Sequence, residues 1–337
     1  MPYGLPALTE QEQRAIYQWF KLGAPGPSAE AQAALNSVEN FKKEIGMFEA
    51  FLNGADYKTK LSARYIFEHL FIAHIYFKEK PKDFFRLVRA TNQYGEIPTP
   101  RPYDDPGGPF FYRFKKYTAT IVQKNHIPYE LNEKKLNTWK INFIQSAWQA
   151  GSSELPKYGL AGANPFTTFY DIPAVARNRF LLDDAYYHIM TFVKGPVCNG
   201  QTATNVIEDN FWVLFVDPTK DVTVNRPEFF QTNAAKMDLP AEFPEGEAEI
   251  DDIRKNNLAV NNNKYRLYAE NFPDGIDTSI IWDGDRINNN ALLTIYRHNN
   301  SAAVLKGAHG QVPKTIWLLD YPLFEDIYYN LVAGYNV

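Results

Sequence analysis

The 337-residue chain has one cysteine, Cys198, and that scarcity excludes three chemistries at once. No internal disulfide can form, no zinc site can rest on paired cysteines, and no haem can be attached covalently through C-x-x-C-H. Long hydrophobic runs are also missing, since no apolar stretch approaches the ~20 residues of a membrane-spanning helix. The opening residues, MPYGLPALTE, carry neither a basic nor an apolar segment and do not read as a signal peptide. Taken literally, such a chain is cytosolic. Charge of one sign is not in excess: 35 Lys and Arg stand against 39 Asp and Glu, a net charge of −4. A basic stripe for nucleic acid and a polybasic run for an anionic membrane are thereby excluded. The phosphate-binding loop, G-x-S-x-G and H-E-x-x-H are absent as well.

Aromatic side chains are what the chain has in quantity: 24 Phe, 21 Tyr and 6 Trp, or 15% of it. That supply suits a dense core, and equally a pocket for a long apolar ligand. The stretch from Pro173 to Pro218 organises the pattern. Pro173 suits a first helical position, and Leu181, Ala185, Ile189, Phe192 and Val193 recur at helical spacing. Gly195-Pro196 stops that helix, and a turn through Cys198 to Gly200 leads to the apolar run Phe211–Val216. That run is a buried strand or a buried helical turn; periodicity does not separate them.

Elsewhere, Thr9 and Glu12 have capping-box spacing for a helix closed by Gly23. Helices are expected over 28–52, 61–77 and about 132–150. The 61–77 helix is apolar nearly all round and therefore buried. It contains His69 and His74, which five residues set about 140° apart, so one helix cannot present both to one metal. Arg64 and Glu68, four apart, can pair. Asp104 and Asp105 precede Pro106 and read as turn formers, not as paired catalytic carboxylates. Phe110–Phe114 and Thr118–Val122 are strand-like. Residues 219–265, rich in carboxylates and Asn, read as a solvated excursion without a site. The last block gives strands at 292–298, 302–306 and 314–319, a turn at Asn299-Asn300, and a helix from Asp320-Tyr321-Pro322 through Val332. His69, His74, Arg297 and His298 are the candidate site residues, polar groups placed on apolar elements; Lys306 and His309 are further polar positions of this kind.

Several blocks, in order, resemble the bacterial fatty acid cis/trans isomerase family: SARYIFEHLFIAHIYF (62–77), RPYDDPG (101–107), IPYELN (127–132), KGPVCNGQTATNVIEDNFWVLF (194–215), YRHNNSAAVLKG (296–307) and PKTIWLLDYPLFEDIYYNLVAG (313–334). The resemblance runs from residue 1 to residue 337 and weakens over 219–265. It implies a periplasmic, haem c-containing enzyme that turns cis double bonds of membrane phospholipid acyl chains to trans and touches the membrane peripherally. It also implies that 1–27 is similar to the C-terminal tail of a c-type cytochrome domain, with Met1 of the Met-Pro pair as a haem ligand. The attachment motif is absent, so the chain is expected to be a truncated one, inactive alone. Residues 28–337 are then an isomerase-family α+β domain, a largely helical body with short antiparallel strands. Cys198 lies in the family-like KGPVC turn and is expected to be an inert buried thiol. No metal site is expected. The competing reading is a non-catalytic module that binds lipid or a partner; a metal hydrolase is disfavoured by the histidine spacing.

Overall fold

The computed structural model describes residues 7–92, 95–118, 126–148, 151, 154–194, 210–237, 247–298 and 301–333. Within these, the Thr9 side chain and Glu12 form the expected capping box at the start of α1 (Glu10–Lys21). The expected single helix over 28–52 is two, α2 (Ala29–Asn36) and α3 (Lys42–Leu52), parted by a 3-10 turn at Glu39–Phe41. Phe41 turns inward there and joins the core at 3% exposure.

Asp56 accepts the Thr59 N–H (2.9 Å) and starts α4 (Tyr57–His69), in which every residue from Leu61 to His69 is buried. The expected helix does not continue to residue 77. It ends at His69, and His74–Phe77 forms strand β1 instead. The β-branched and aromatic run Ile75-Tyr76-Phe77 favours a pleated surface with partners on both sides. β2 (Lys80–Ala90), β3 (Phe111–Lys116) and β4 (Pro128–Leu131) complete a sheet in the order β3-β2-β1-β4. Asn132 then caps α5 (Glu133–Trp139), which passes into a π-helical turn, Lys140–Gln145, and does not reach residue 150 as one helix.

After the short α6 (Pro165–Thr168), the helix expected from Pro173 is broken into α7 (Ala174–Asp183) and α8 (Ala185–Lys194). The break is Asp184, at φ −122° and ψ 31°, and Pro173 stands at the cap. Asp184 earns its non-helical backbone by accepting from Tyr129 Oη and Lys135 Nζ, both at 2.6 Å. The apolar run resolves as strand β5 (Asn210–Phe215), its side chains alternating between half-buried and buried. β6 (Leu292–His298), β7 (Ser301–Lys306) and β8 (Ile316–Leu319) follow, in the order β7-β6-β5-β8. Asp320 caps the helix Tyr321–Tyr328, which again passes into a π-helical turn, Tyr329–Ala333. The fold is therefore α+β. The strands are not all antiparallel, because β4 runs parallel to β1 and β8 parallel to β5. The Thr118–Val122 segment beyond Thr118, the Cys198 turn and the Asn299-Asn300 turn lie outside the described residues.

The two sheets repeat one plan. A row across the first reads Lys116–Phe85–Ile75–Tyr129, and a row across the second reads Lys306–Leu293–Val213–Trp317. Two residues on, Phe77 faces Leu131 and Phe215 faces Leu319. One further residue gives the helix caps Asn132 and Asp320. The units differ in their first connection. Lys78-Glu79 joins β1 to β2, whereas residues 216–291 lie between β5 and β6. In that segment the helices Val222–Asn225, Pro227–Asn233 and Glu247–Asn271 form, and Val222, Phe229, Phe230, Met237, Leu267 and Tyr268 are buried.

The outer edge of β3 is covered by side chains of α3 and the residue after it. Asn53 Nδ2 donates to the Tyr112 carbonyl (3.0 Å), Asn53 Oδ1 accepts the Tyr112 N–H (2.8 Å), and Glu49 Oε1 accepts the Phe114 N–H (2.9 Å). Side chains thus take the place of a further strand and close an edge that would otherwise invite pairing. Asn53→Ala is expected to cost about 1–3 kcal/mol by leaving the Tyr112 N–H unpaired, while the Tyr112 carbonyl keeps its bond from Arg113 Nη1 (3.1 Å). Asn53→Asp, which keeps the acceptor, should cost less. Urea denaturation with an unchanged slope is the check.

Candidate active site

The densest polar group in the interior lies between α4 and the helix Tyr321–Tyr328. Helical spacing sets Arg64 against Glu68 and Tyr65 against His69, each four residues apart on α4. Arg64 Nε donates to Glu68 Oε1 at 2.8 Å, with both side chains at 0% exposure. Glu68 Oε2 accepts from Tyr329 Oη (2.7 Å), and the Glu68 carbonyl accepts from Tyr328 Oη. On the other pair, Tyr65 Oη donates to Glu325 Oε2 (2.8 Å), and Glu325 Oε1 lies 3.0 Å from His69 Nε2. His69 Nδ1 is 2.7 Å from the Tyr65 carbonyl, and the His69 carbonyl accepts from Tyr187 Oη (2.9 Å).

Proton accounting follows from these contacts. A carbonyl only accepts, so His69 Nδ1 carries a hydrogen. Nε2 and Glu325 Oε1 then share one proton, held by the imidazole or by the carboxyl. Burial first, and then the Glu325 charge, hold the Tyr65 phenol well above its usual range, so Tyr65 remains a donor.

A second imidazole faces the first. The His188 ring on α8 is 5.8 Å from His69 at 85°, is 1% exposed, and has no partner for either nitrogen. Phe180, Tyr187, Phe324 and Tyr328 surround it at 5.0–6.0 Å. Burial, then His69 and Lys135, push its pKa well below the usual histidine value, so it is neutral.

The sequence candidates separate. His69 sits inside the network, sealed and bonded at both nitrogens. His74 does not share its helix or its partners. It opens β1, its Nδ1 accepts the Ile127 N–H (2.9 Å), and its ring stacks on His126 at 5.2 Å. Arg297 and His298 end β6 opposite Ala302 and Ser301; their side chains, like Met1 and Cys198, are outside the described residues. Sequence reasoning missed Tyr65, His188, Glu325, Tyr328 and Tyr329. The available signal was the four-residue spacing in RYIFEH and the i, i+3, i+4 pattern of EDIYY, both polar groups within apolar helices. No group of three His, Cys, Asp or Glu among the described residues is placed to hold a metal.

Burial, and then His126, lower the His74 pKa to about 4. A histidine depressed in the folded state stabilises the fold above its unfolded pKa and loses that contribution as pH falls from about 6.5 to 4. His74→Gln keeps an acceptor for Ile127 and does not titrate. Its loss of stability between pH 7 and pH 5, read from urea midpoints, should be smaller than that of the parent chain. His126 and His188, lowered in the same direction, leave a residual slope.

Comparison with known proteins supplies what the geometry alone does not. A model of the fatty acid cis/trans isomerase family matches residues 1–337, the full length given. No curated protein and no solved structure matches the chain. The blocks that carry the resemblance include α4 and the helix Tyr321–Tyr328 with the turn after it, which supply most of the buried network. The chain belongs to the fatty acid cis/trans isomerase family and is an enzyme of that class.

Proposed function

We propose that the chain's substrates are the unsaturated acyl chains of membrane phospholipids, that it acts in the periplasm, and that the intact enzyme depends on haem c. The observation that carries the reading is the family match over all 337 residues. Membrane contact has support from α1, in which no residue is buried. Ile16, Tyr17, Trp19, Phe20 and Leu22 stand 44–74% exposed there. Aromatic and aliphatic groups of this kind on one short helix suit the boundary between water and lipid. No helix among the described residues is long and apolar enough to cross a membrane.

Haem c does not fit the residues described. One cysteine cannot supply two thioether bonds. His188 has unpaired nitrogens, but five rings within 6.0 Å occupy the space a porphyrin would need. The expected ligand Met1 lies outside the described residues. What this chain's residues do is hold α4 against the helix Tyr321–Tyr328, through Glu68 with Tyr329 and through Glu325 with Tyr65 and His69.

Directing the chain to the periplasm of a bacterium that lacks trans fatty acids tests the activity. Gas chromatography of phospholipid methyl esters reads the trans fraction, and an absorbance spectrum of the purified protein reads haem. Trans product accompanied by a c-type spectrum is expected from the haem-bearing protein, and none from this chain without haem. Trans product from haem-free protein would overturn the cofactor requirement. For the membrane contact, Trp19 emission should shift to the blue on adding phosphatidylglycerol vesicles. Phe20→Ser should weaken that binding, with no change in thermal stability because Phe20 contacts solvent.

A further inference from the structure

Three arginines are buried to 1% exposure or less, and they are not compensated alike. Arg64 is paired with Glu68. Arg177 has no carboxylate within ion-pair distance among the described residues: it donates Nε–H to the Ile172 carbonyl (3.0 Å), lies over Phe230 and Tyr321, and its Nη1 has no partner, but its contacts come from helices and the turn before α7 and not from a loop rich in proline and glycine. Arg89, on β2, likewise has no carboxylate within ion-pair distance among the described residues. Its Nη1 donates to the Asp104 carbonyl (2.9 Å) and its Nη2 to Thr99 Oγ1 (2.6 Å), while its Nε–H has no partner. Phe67, Phe110 and Tyr158 face its guanidinium at 5.1–5.7 Å.

A guanidinium does not shed its proton to escape this situation. Buried charges are paired or bound to an ion, because the cost of leaving them bare exceeds what aromatic faces return. Arg64 stands on the other contact of Tyr158, at 4.0 Å from the ring, and its single carboxylate is already engaged by Tyr329. The two arginines and one glutamate leave a net positive charge in a low-dielectric pocket of phenols. Burial pushes the Arg89 guanidinium below its usual range; Tyr112, Tyr158 and Glu68 pull it back.

We propose that Arg89, supported by Arg64 and Tyr158, is a binding site for a singly charged oxyanion, a carboxylate or a phosphodiester. That this oxyanion belongs to a lipid, as free fatty acid or headgroup, rests on the reading under Proposed function; the anion site itself rests on Arg89 alone. Two oxygens of a carboxylate or of a phosphodiester match the guanidinium fork, and the unpaired Nε–H beside Nη2 is one edge of that fork. The groups now holding Arg89 belong to residues 97–110, a segment with five prolines, Gly107 and Gly108 and no helix or strand. An arriving oxyanion displaces the Thr99 contact of this loop and leaves the sheet intact.

Isothermal titration of the full chain with sodium octanoate, glycerophosphocholine and sodium phosphate tests the site. Saturable binding of octanoate or glycerophosphocholine, weakened about tenfold or more in Arg89→Gln and less in Arg89→Lys, is expected. Phosphate binding alone would keep an oxyanion site and overturn its lipid source. No binding of any of the three, or equal binding by Arg89→Gln, overturns the site. The trans-fatty-acid assay reads the isomerase activity of haem-bearing protein and this titration reads the anion site, so a failure of one leaves the other unaffected. If Arg89→Gln does not fold, Thr99→Val provides a second arm. It removes a contact that competes for Nη2 and should tighten binding, and unchanged or weaker binding would overturn the proposal.

Discussion

The fold hangs on the buried contact between one face of α4 and the helix Tyr321–Tyr328 with the turn after it. Arg64, Glu68, His69 and Glu325 are all at 0% exposure. Taking such groups out of water costs several kcal/mol per ion, which only full partnering offsets. Here partnering is full on both sides: Glu68 takes Arg64 and Tyr329, and Glu325 takes Tyr65 and His69. Removing one partner from such a set costs about 3–5 kcal/mol, against about 5–15 kcal/mol for a whole domain. The contact joins residues some 260 positions apart. It therefore specifies which segments meet, in a way that interchangeable apolar packing between Phe and Leu side chains does not.

The repeated sheet plan explains how one contact can organise so long a chain. In each unit a central strand pairs antiparallel with its successor and parallel with the fourth strand, and a capped helix with a π-helical turn follows. The two turns approach α4 side chains four residues apart. Phe143 of the first lies 5.9 Å from the Tyr65 ring, and Tyr329 of the second lies 5.4 Å from His69. Residues 216–291 enter the second unit where the first has a two-residue turn. Their base is closed by the Val216–Ile281 bridge, and Asp221 accepts the Tyr321 N–H at 2.9 Å. The excursion is thus tied to the start of the helix that carries Glu325.

Local signals in the sequence were read well and long-range ones were not. Thr9, Asn132 and Asp320 announce their helices, because a cap needs only the residues beside it. The strands expected at 292–298 and 302–306 form an antiparallel pair, although burial does not alternate along them, since Leu293, Thr294 and Ile295 are all buried. Residues 61–77 misled because an all-apolar run satisfies helix and buried strand alike. Whether Ile75 sits in a strand depends on Phe85 and Tyr129, 10 and 54 residues away. The break at Asp184 was hidden for the same reason, since its partners Tyr129 and Lys135 come from the other unit. The duplicated plan left only scattered identities, such as Phe77 with Phe215 and Lys116 with Lys306. At the site, His69 was found as a polar residue on an apolar helix. Glu325, Tyr328 and Tyr329 were passed over, because their significance lies in what α4 presents to them.

The same network bears on where substrate can be touched. A reacting group must have an atom to offer, and His69 has none: both nitrogens are engaged and the ring is sealed. Its contribution is to hold elements, and the elements it holds flank one of the two longest blocks that carry the family resemblance. That block runs from Lys194, the end of α8, to Phe215, the end of β5. α8 is fixed to the network by Tyr187, whose hydroxyl bonds the His69 carbonyl, and β5 is an inner strand between β6 and β8. A connection whose two ends are set by a rigid interior can position side chains for binding while its own sequence stays polar and glycine-containing. The buried polar knot thus supplies fixed geometry at the elements that bound this block, the end of α8 and strand β5.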